Sequence, residues 1–138
     1  MTARPESKFS KKFTTATKAK VHWTRIESWA LPGVPDLHGV CPGVSFWVET
    51  KIVKLHSVKS RAITTKQVGL RPHQIQWQLS YAKAGGRVYN LVHRPSSSIV
   101  QLFDHATLSE EPMSPIFEAD DDTSGLRMTL DYIIELGR

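Results

Sequence analysis

The chain has 138 residues, enough for one compact domain with a short appendage. Its single cysteine, Cys41, excludes an internal disulfide and a cysteine-rich zinc site, and apolar runs as short as Phe46-Trp47-Val48 exclude a membrane-spanning helix. The formal net charge of +5 is unevenly spread: residues 1–26 hold seven basic residues and one acid, residues 27–103 nine and three, and residues 104–138 two and nine. A basic body with an acidic tail points to a polyanionic partner. The basic N-terminus lacks the apolar core of a secretory signal, so a reducing cytoplasm is expected.

In chain order, residues 1–20 are polar and rich in Lys, Ser and Thr, which predicts a flexible basic arm. Trp23, Ile26 and Trp29 recur at three-residue spacing and predict a short helix over 21–30, stopped by Pro32-Gly33. Two strands follow, 34–40 and 44–53, joined by the turn signal Cys41-Pro42-Gly43 into an antiparallel hairpin. Residues 54–69 are basic and poor in apolar side chains, and predict a loop. Pro72 suits the first turn of a helix running to Ala84, with Ile75, Leu79 and Ala82 on its apolar face and Gly85-Gly86 as its stop. Strands are expected at 88–92 and 99–103, then an acidic, Pro-containing linker, then a helix over 124–136 with Leu126, Leu130, Ile133 and Ile134 on one side. The tail helix serves either to pair two chains or to pack on its own sheet. This order describes a small α/β domain with a mixed sheet, divided into an arm (1–20), a core (21–103) and an acidic linker with its helix (104–138).

Between Ser7 and Phe103 there are only three carboxylates, Glu27, Asp36 and Glu49, among fifteen Lys and Arg. Alternation along the second strand puts Glu49 and Lys51 side by side on one face. Hairpin pairing brings Asp36 from the neighbouring strand beside Glu49. Two such carboxylates repel unless a cation lies between them, and an oxygen donor set suits Mg²⁺, with Mn²⁺ as a substitute. The Thr50 carbonyl is a natural further ligand, Glu27 a candidate for a second metal position, and Lys51 a group to orient an attacking water or neutralise charge on a phosphate. His38, two residues beyond Asp36, is a candidate for the rim of the same site.

At Gly33-Val34-Pro35-Asp36-Leu37 and Phe46-Trp47-Val48-Glu49-Thr50-Lys51 the chain resembles the PD-(D/E)xK nuclease superfamily. Leu70-Arg71-Pro72-His73-Gln74-Ile75 and Ala84-Gly85-Gly86-Arg87-Val88 extend the likeness to its Holliday-junction resolvase and VRR-NUC branches, across residues 22–103. The resemblance implies a restriction-endonuclease-like fold, a mixed central sheet flanked by helices. It also implies a Mg²⁺-dependent endodeoxyribonuclease leaving 5′-phosphate and 3′-hydroxyl ends. Asp36, Glu49 and Lys51 match the catalytic motif, Gln74 matches the helix glutamine that supports it, and Glu27 stands for the glutamate on the first helix, for which Glu6 in the arm is the other acid available.

The resolvase likeness makes branched DNA the expected substrate and a homodimer the expected assembly, because a four-way junction offers two equivalent strands to cut. No membrane and no nucleotide cofactor are expected. DNA contacts are expected from Lys11 and Lys12 in the arm, Lys54, Lys59, Arg61 and Lys66 in the loop, and Arg71 and His73 at the helix start. Two rival readings remain: a VRR-NUC-type nuclease acting on flaps or duplex, and a DNA-binding accessory without catalysis. The acidic tail is expected to shield the basic body.

Overall fold

The computed structural model describes residues 5–26, 32–53 and 60–138. Six strands form one sheet in sequence order: β1 (His22–Arg25), β2 (Leu37–Cys41), β3 (Val44–Ile52), β4 (Val88–Arg94), β5 (Ile99–Asp104) and β6 (Phe117–Asp120). Every neighbouring pair is antiparallel except β3 and β4, which are parallel. Parallel strands cannot be joined by a tight turn. The link between them carries the short helix α2 (Thr65–Val68) and then α3 (Pro72–Lys83).

The sheet is covered on both faces. Helices α1 (Pro5–Thr17) and α4 (Thr123–Leu136) lie on one side. There Phe9, Phe13, Leu126, Leu130, Ile133 and Ile134 close over Phe46, Val48, Leu91 and Leu102. On the other side Ile63, Val68, Leu70, Leu108 and Met113 pack with Ile75 of α3 against Val92 and Phe103. Residues 46 and 48 thus face one layer while 47, 49 and 51 face the other, as a strand's two-residue period requires. No helix among the described residues is long and apolar enough to cross a membrane.

Five expectations change. The arm is not a free segment over residues 5–17: it is α1, because Phe9, Ser10, Phe13 and Thr17 fall on one helical stripe and all four are buried. Over its described part, residues 21–26, the helix expected over 21–30 gives way to β1, which pairs His22 with Val40 and Arg25 with Leu37; residues 27–30 lie outside the described residues. Trp23 then packs edge-on against Phe46 over Gly39, where a Cβ would lie 2.8 Å from either ring. The expected loop contains α2, whose Thr64 and Gln67 form a capping box, and Ile63, which bridges to Met113. The acidic linker contains β6, and α4 buries its apolar side against its own sheet, so that side is not available to pair two chains. Finally, the buried residue of α3 is Gln78, whereas Leu79 is 40 % exposed.

Candidate active site

The motif residues meet where the parallel pair β3–β4 ends. Asp36 stands just before β2, and Glu49, Thr50 and Lys51 occupy the C-terminal half of β3. Thr50 clasps the Asp36 carboxylate: its N–H donates to Oδ1 (2.9 Å) and its hydroxyl to Oδ2 (2.6 Å). Ser10 of α1 donates a third hydrogen bond to Oδ2 (2.8 Å), and the Ser10 and Thr50 hydroxyls also touch each other. The helix that replaces the arm is therefore tied directly to the site.

Glu49 points to the opposite layer. Its Oε1 accepts the Asp36 N–H (3.2 Å), and its Oε2 accepts Nε2 of Gln74 (3.1 Å) and lies 3.6 Å from Nζ of Lys51. Gln74 is oriented by its other end, because its Oε1 accepts the Arg71 N–H at the start of α3 (2.9 Å). One carboxamide thus closes a helix turn and aims a donor at the carboxylate. One turn further on, Gln78 exchanges two 2.8 Å hydrogen bonds with Asn90, both fully buried, and Asn90 is the β4 partner of Glu49 in register. The amide pair sets the height and rotation of α3 over the strand that carries Glu49.

Burial dominates the electrostatics. Glu49 is 7 % exposed. Its carboxyl is pushed up to about 8, first by desolvation and then by the negative charge of Asp36, with Lys51 and the Asp36 N–H pulling the other way. Glu6 adds to the rise. It lies on α1 one turn before Ser10, on the same side of the helix, so α1 brings a third carboxylate towards the pair. Glu6 is the other acid that the sequence offers for this role, and what the expected arm missed is the helix that carries it, signalled by Glu6, Ser10, Phe13 and Thr17 on one helical face.

The structure brings together Asp36, Glu49, Thr50, Lys51 and Gln74. Glu27, Lys54 and Lys59 lie outside the described residues. Lys11 and Lys12 are exposed on α1, Lys66 on α2, and Arg71 and His73 at the start of α3. Arg61 is exposed and faces Glu118 at 3.4 Å. His38 packs on Trp47, ring centres 4.6 Å apart, rather than on the carboxylates. Sequence reasoning also passed over His93, which stacks on Phe9 (4.7 Å) and meets Asp121 at 3.0 Å.

Among the described residues no three His, Cys, Asp or Glu side chains form a closed metal-binding group. The donor set still suits a hard divalent cation. Asp36 Oδ1 and Glu49 Oε1 each accept a single hydrogen bond, so each keeps a lone pair, and the Glu49 carboxyl is raised first by burial and then by the Asp36 charge, a charge that a cation would offset.

Sheet order, the one parallel pair and helices on both faces define the restriction-endonuclease-like fold. Among solved structures the chain is similar to Archaeoglobus fulgidus Hjc, a Holliday junction resolvase from an archaeal hyperthermophile. The TM-score is 0.59 at 14% identity, over 95% of this chain and 99% of that one. No protein-family model and no curated protein matches the chain.

Proposed function

We propose that the protein is a divalent-cation-dependent endodeoxyribonuclease acting on branched DNA. The observation that supports this most is the Asp36–Glu49–Lys51 arrangement: a buried Glu49 carboxyl pushed up to about 8, which accepts the Asp36 N–H, feels the Asp36 charge and has the Lys51 ammonium 3.6 Å away. Binding DNA alone needs no buried carboxylates, so a purely basic adapter leaves this arrangement without a purpose. The likeness to the fold of a Holliday junction resolvase adds a second, independent support.

Asp36, Glu49 and the Thr50 carbonyl are the groups to hold Mg²⁺ or Mn²⁺, with Glu6 the described acid nearest to the role first given to Glu27. A cation there supplies positive charge for the phosphate oxygens and acidifies a coordinated water. The chain's own residues do the rest. Ser10 and Thr50 hold Asp36 in one rotamer, Gln74 holds Glu49, and Lys51, its ammonium 3.6 Å from Glu49, is the group to neutralise charge on the scissile phosphate. Cleavage gives 5′-phosphate and 3′-hydroxyl ends. A homodimer matches the two-fold symmetry of a four-way junction, and a cytoplasmic location is part of the same reading.

The test compares a four-way junction, a flap, a splayed arm and linear duplex, each with Mg²⁺. The parent should cut the junction best, and Asp36→Asn and Glu49→Gln should each lose at least a thousandfold in rate yet still bind it. Preference for flaps or duplex would favour the VRR-NUC-type reading. Absence of cutting on all four with Mg²⁺ or Mn²⁺ would leave a binding protein.

A further inference from the structure

An open groove of about 460 Å³ runs between α1 and the first turns of α4, lined among others by Lys8, Lys11, Lys12, Thr15, Thr123 and Arg127. Its charge follows from how α1 docks. Once Phe9, Ser10, Phe13 and Thr17 turn to the sheet, Lys8, Lys11, Lys12 and Thr15, at i, i+3, i+4 and i+7, must share the outer face. Like charges at these spacings each cost a few tenths of a kcal/mol, so the stripe does not help the helix form. Nor does it pair with acids: among the described residues Lys20, Lys51 and Arg61 meet carboxylates, but Lys8, Lys11, Lys12 and Arg127 do not. Arg127 comes from the segment the sequence marks as acidic. Its Nε donates to the Ala16 carbonyl (2.9 Å) in the last turn of α1, which holds the side chain at the groove. That contact alone is a helix-end cap. Three unpaired lysines beside it make it part of something larger.

We infer that this groove seats the phosphate backbone of a duplex arm flanking the cut, an inference that rests on the nuclease reading. The three lysines span about 6 Å of helix, roughly two nucleotide steps of one strand. Lysine ammoniums meet phosphates as point charges, and the free fork of Arg127 can take one phosphate by two bonds. The same helix presents Ser10 and Glu6 to the carboxylates, so an arm held on its outer face has a fixed relation to the site. The charges are read as backbone contacts and carry no base preference.

The experiment measures binding of fluorescent duplex and four-way junction by anisotropy, in chelator, across a salt series. Lys8→Gln, Lys11→Gln, Lys12→Gln and Arg127→Gln are combined in one variant. A control removes the same charge at exposed Lys18, Lys20, Lys83 and Arg138. The groove variant should bind both DNAs at least tenfold more weakly at low salt, with the salt slope reduced by about three. The control should change Kd by less than about threefold. Equal losses in the two variants would mean that only net charge matters, and unchanged binding in the groove variant would mean a solvated face; either overturns the inference. So would poly-glutamate competing as well as DNA. Should the fourfold variant fold poorly, Lys11→Glu alone should still lower the slope by about one, and an unchanged slope refutes the groove. Because the assay is run in chelator it reads binding alone, so a parent that binds here but cuts nothing in the separate Mg²⁺ comparison defeats the nuclease reading without touching this result.

Discussion

Glu49 makes the metal-free protein sensitive to alkali in a way that can be worked out in advance. An unfolded glutamate titrates near 4.5, and this one is pushed up to about 8 in the folded chain. Between those values the folded state holds a proton that the unfolded state has released. Stability therefore falls as pH rises through that window, because the native state binds more protons than the unfolded one. Each pH unit inside it is worth up to about 1.4 kcal/mol, so the whole span amounts to a few kcal/mol. With an unfolding entropy of about 2 cal/mol/K per residue, that is on the order of 10 °C in Tm for a domain of this size. Glu49→Gln isolates the effect: the carboxamide oxygen still accepts the Asp36 N–H, and the side chain has no proton to lose. Chelator-treated parent and variant are melted from about pH 4 to pH 9. Near pH 4 the two should melt alike; by pH 9 the variant should melt about 10 °C higher, and Mg²⁺ added there should raise the parent alone. A difference that stays flat, or that favours the parent as pH rises, would refute the account of a carboxylate short of positive charge.

The supports of the site make three more predictions. Gln78→Leu or Asn90→Leu alone strands a buried amide and should cost about 2–4 kcal/mol in urea unfolding, while the double variant should recover most of that loss; additive losses would mean the pair is not coupled. Asp36→Asn leaves one acceptor oxygen for three donors and should lower Tm at about pH 6, where Glu49 is protonated and no repulsion is relieved; an unchanged melt there would mean that the Ser10 and Thr50 contacts carry no stability. Glu6→Gln removes a negative charge that raises the Glu49 carboxyl, so the Glu49 titration midpoint, followed by carbon NMR, should fall without a change in fold; an unmoved midpoint would separate α1 from the site.

These tests fall on residues that differ sharply in how visible they are in the sequence. The β2–β3 hairpin, β4, β5 and α4 can be read from their apolar periodicity and turn signals, and α3 from its stops, Pro72 and Gly85-Gly86, rather than from its apolar face. Asp36, Glu49 and Lys51 stand out because carboxylates are rare in a basic stretch; the register pairs Leu37 with Val48, next to Asp36 and Glu49, and Lys51 lies 3.6 Å from Glu49, while their roles belong to the proposed function. β1 and β6 cannot be read in the same way. Four residues are too few to show alternation, and Trp23 and Ile26 happen to sit at a helical spacing. What surrounds the motif is hidden for a different reason. Ser10, Gln78, Asn90 and Thr17 are polar residues buried by pairing with other polar groups, and composition assigns such residues to the surface.

The N-terminal segment brings these points together. Only two apolar residues, Phe9 and Phe13, announce the buried face of α1, and the lysines between them read as a solvated tether. Ser10 completes the stripe by donating to Asp36, and Thr17 by donating to the Phe13 carbonyl within the helix while accepting the Trp23 indole N–H from β1. When the stripe is complete, the helix has a determined rotation, and three consequences follow without further assumption. Ser10 falls on Asp36, Glu6 falls near Glu49, and Lys8, Lys11 and Lys12 fall on the far side beside Arg127. On the proposed readings, support for the carboxylates and contact with DNA thus come from opposite faces of one helix. A substitution at Phe13 that turns or frees α1 should disturb both together, whereas damage confined to the lysines should weaken binding and leave the melting behaviour of Glu49 unchanged.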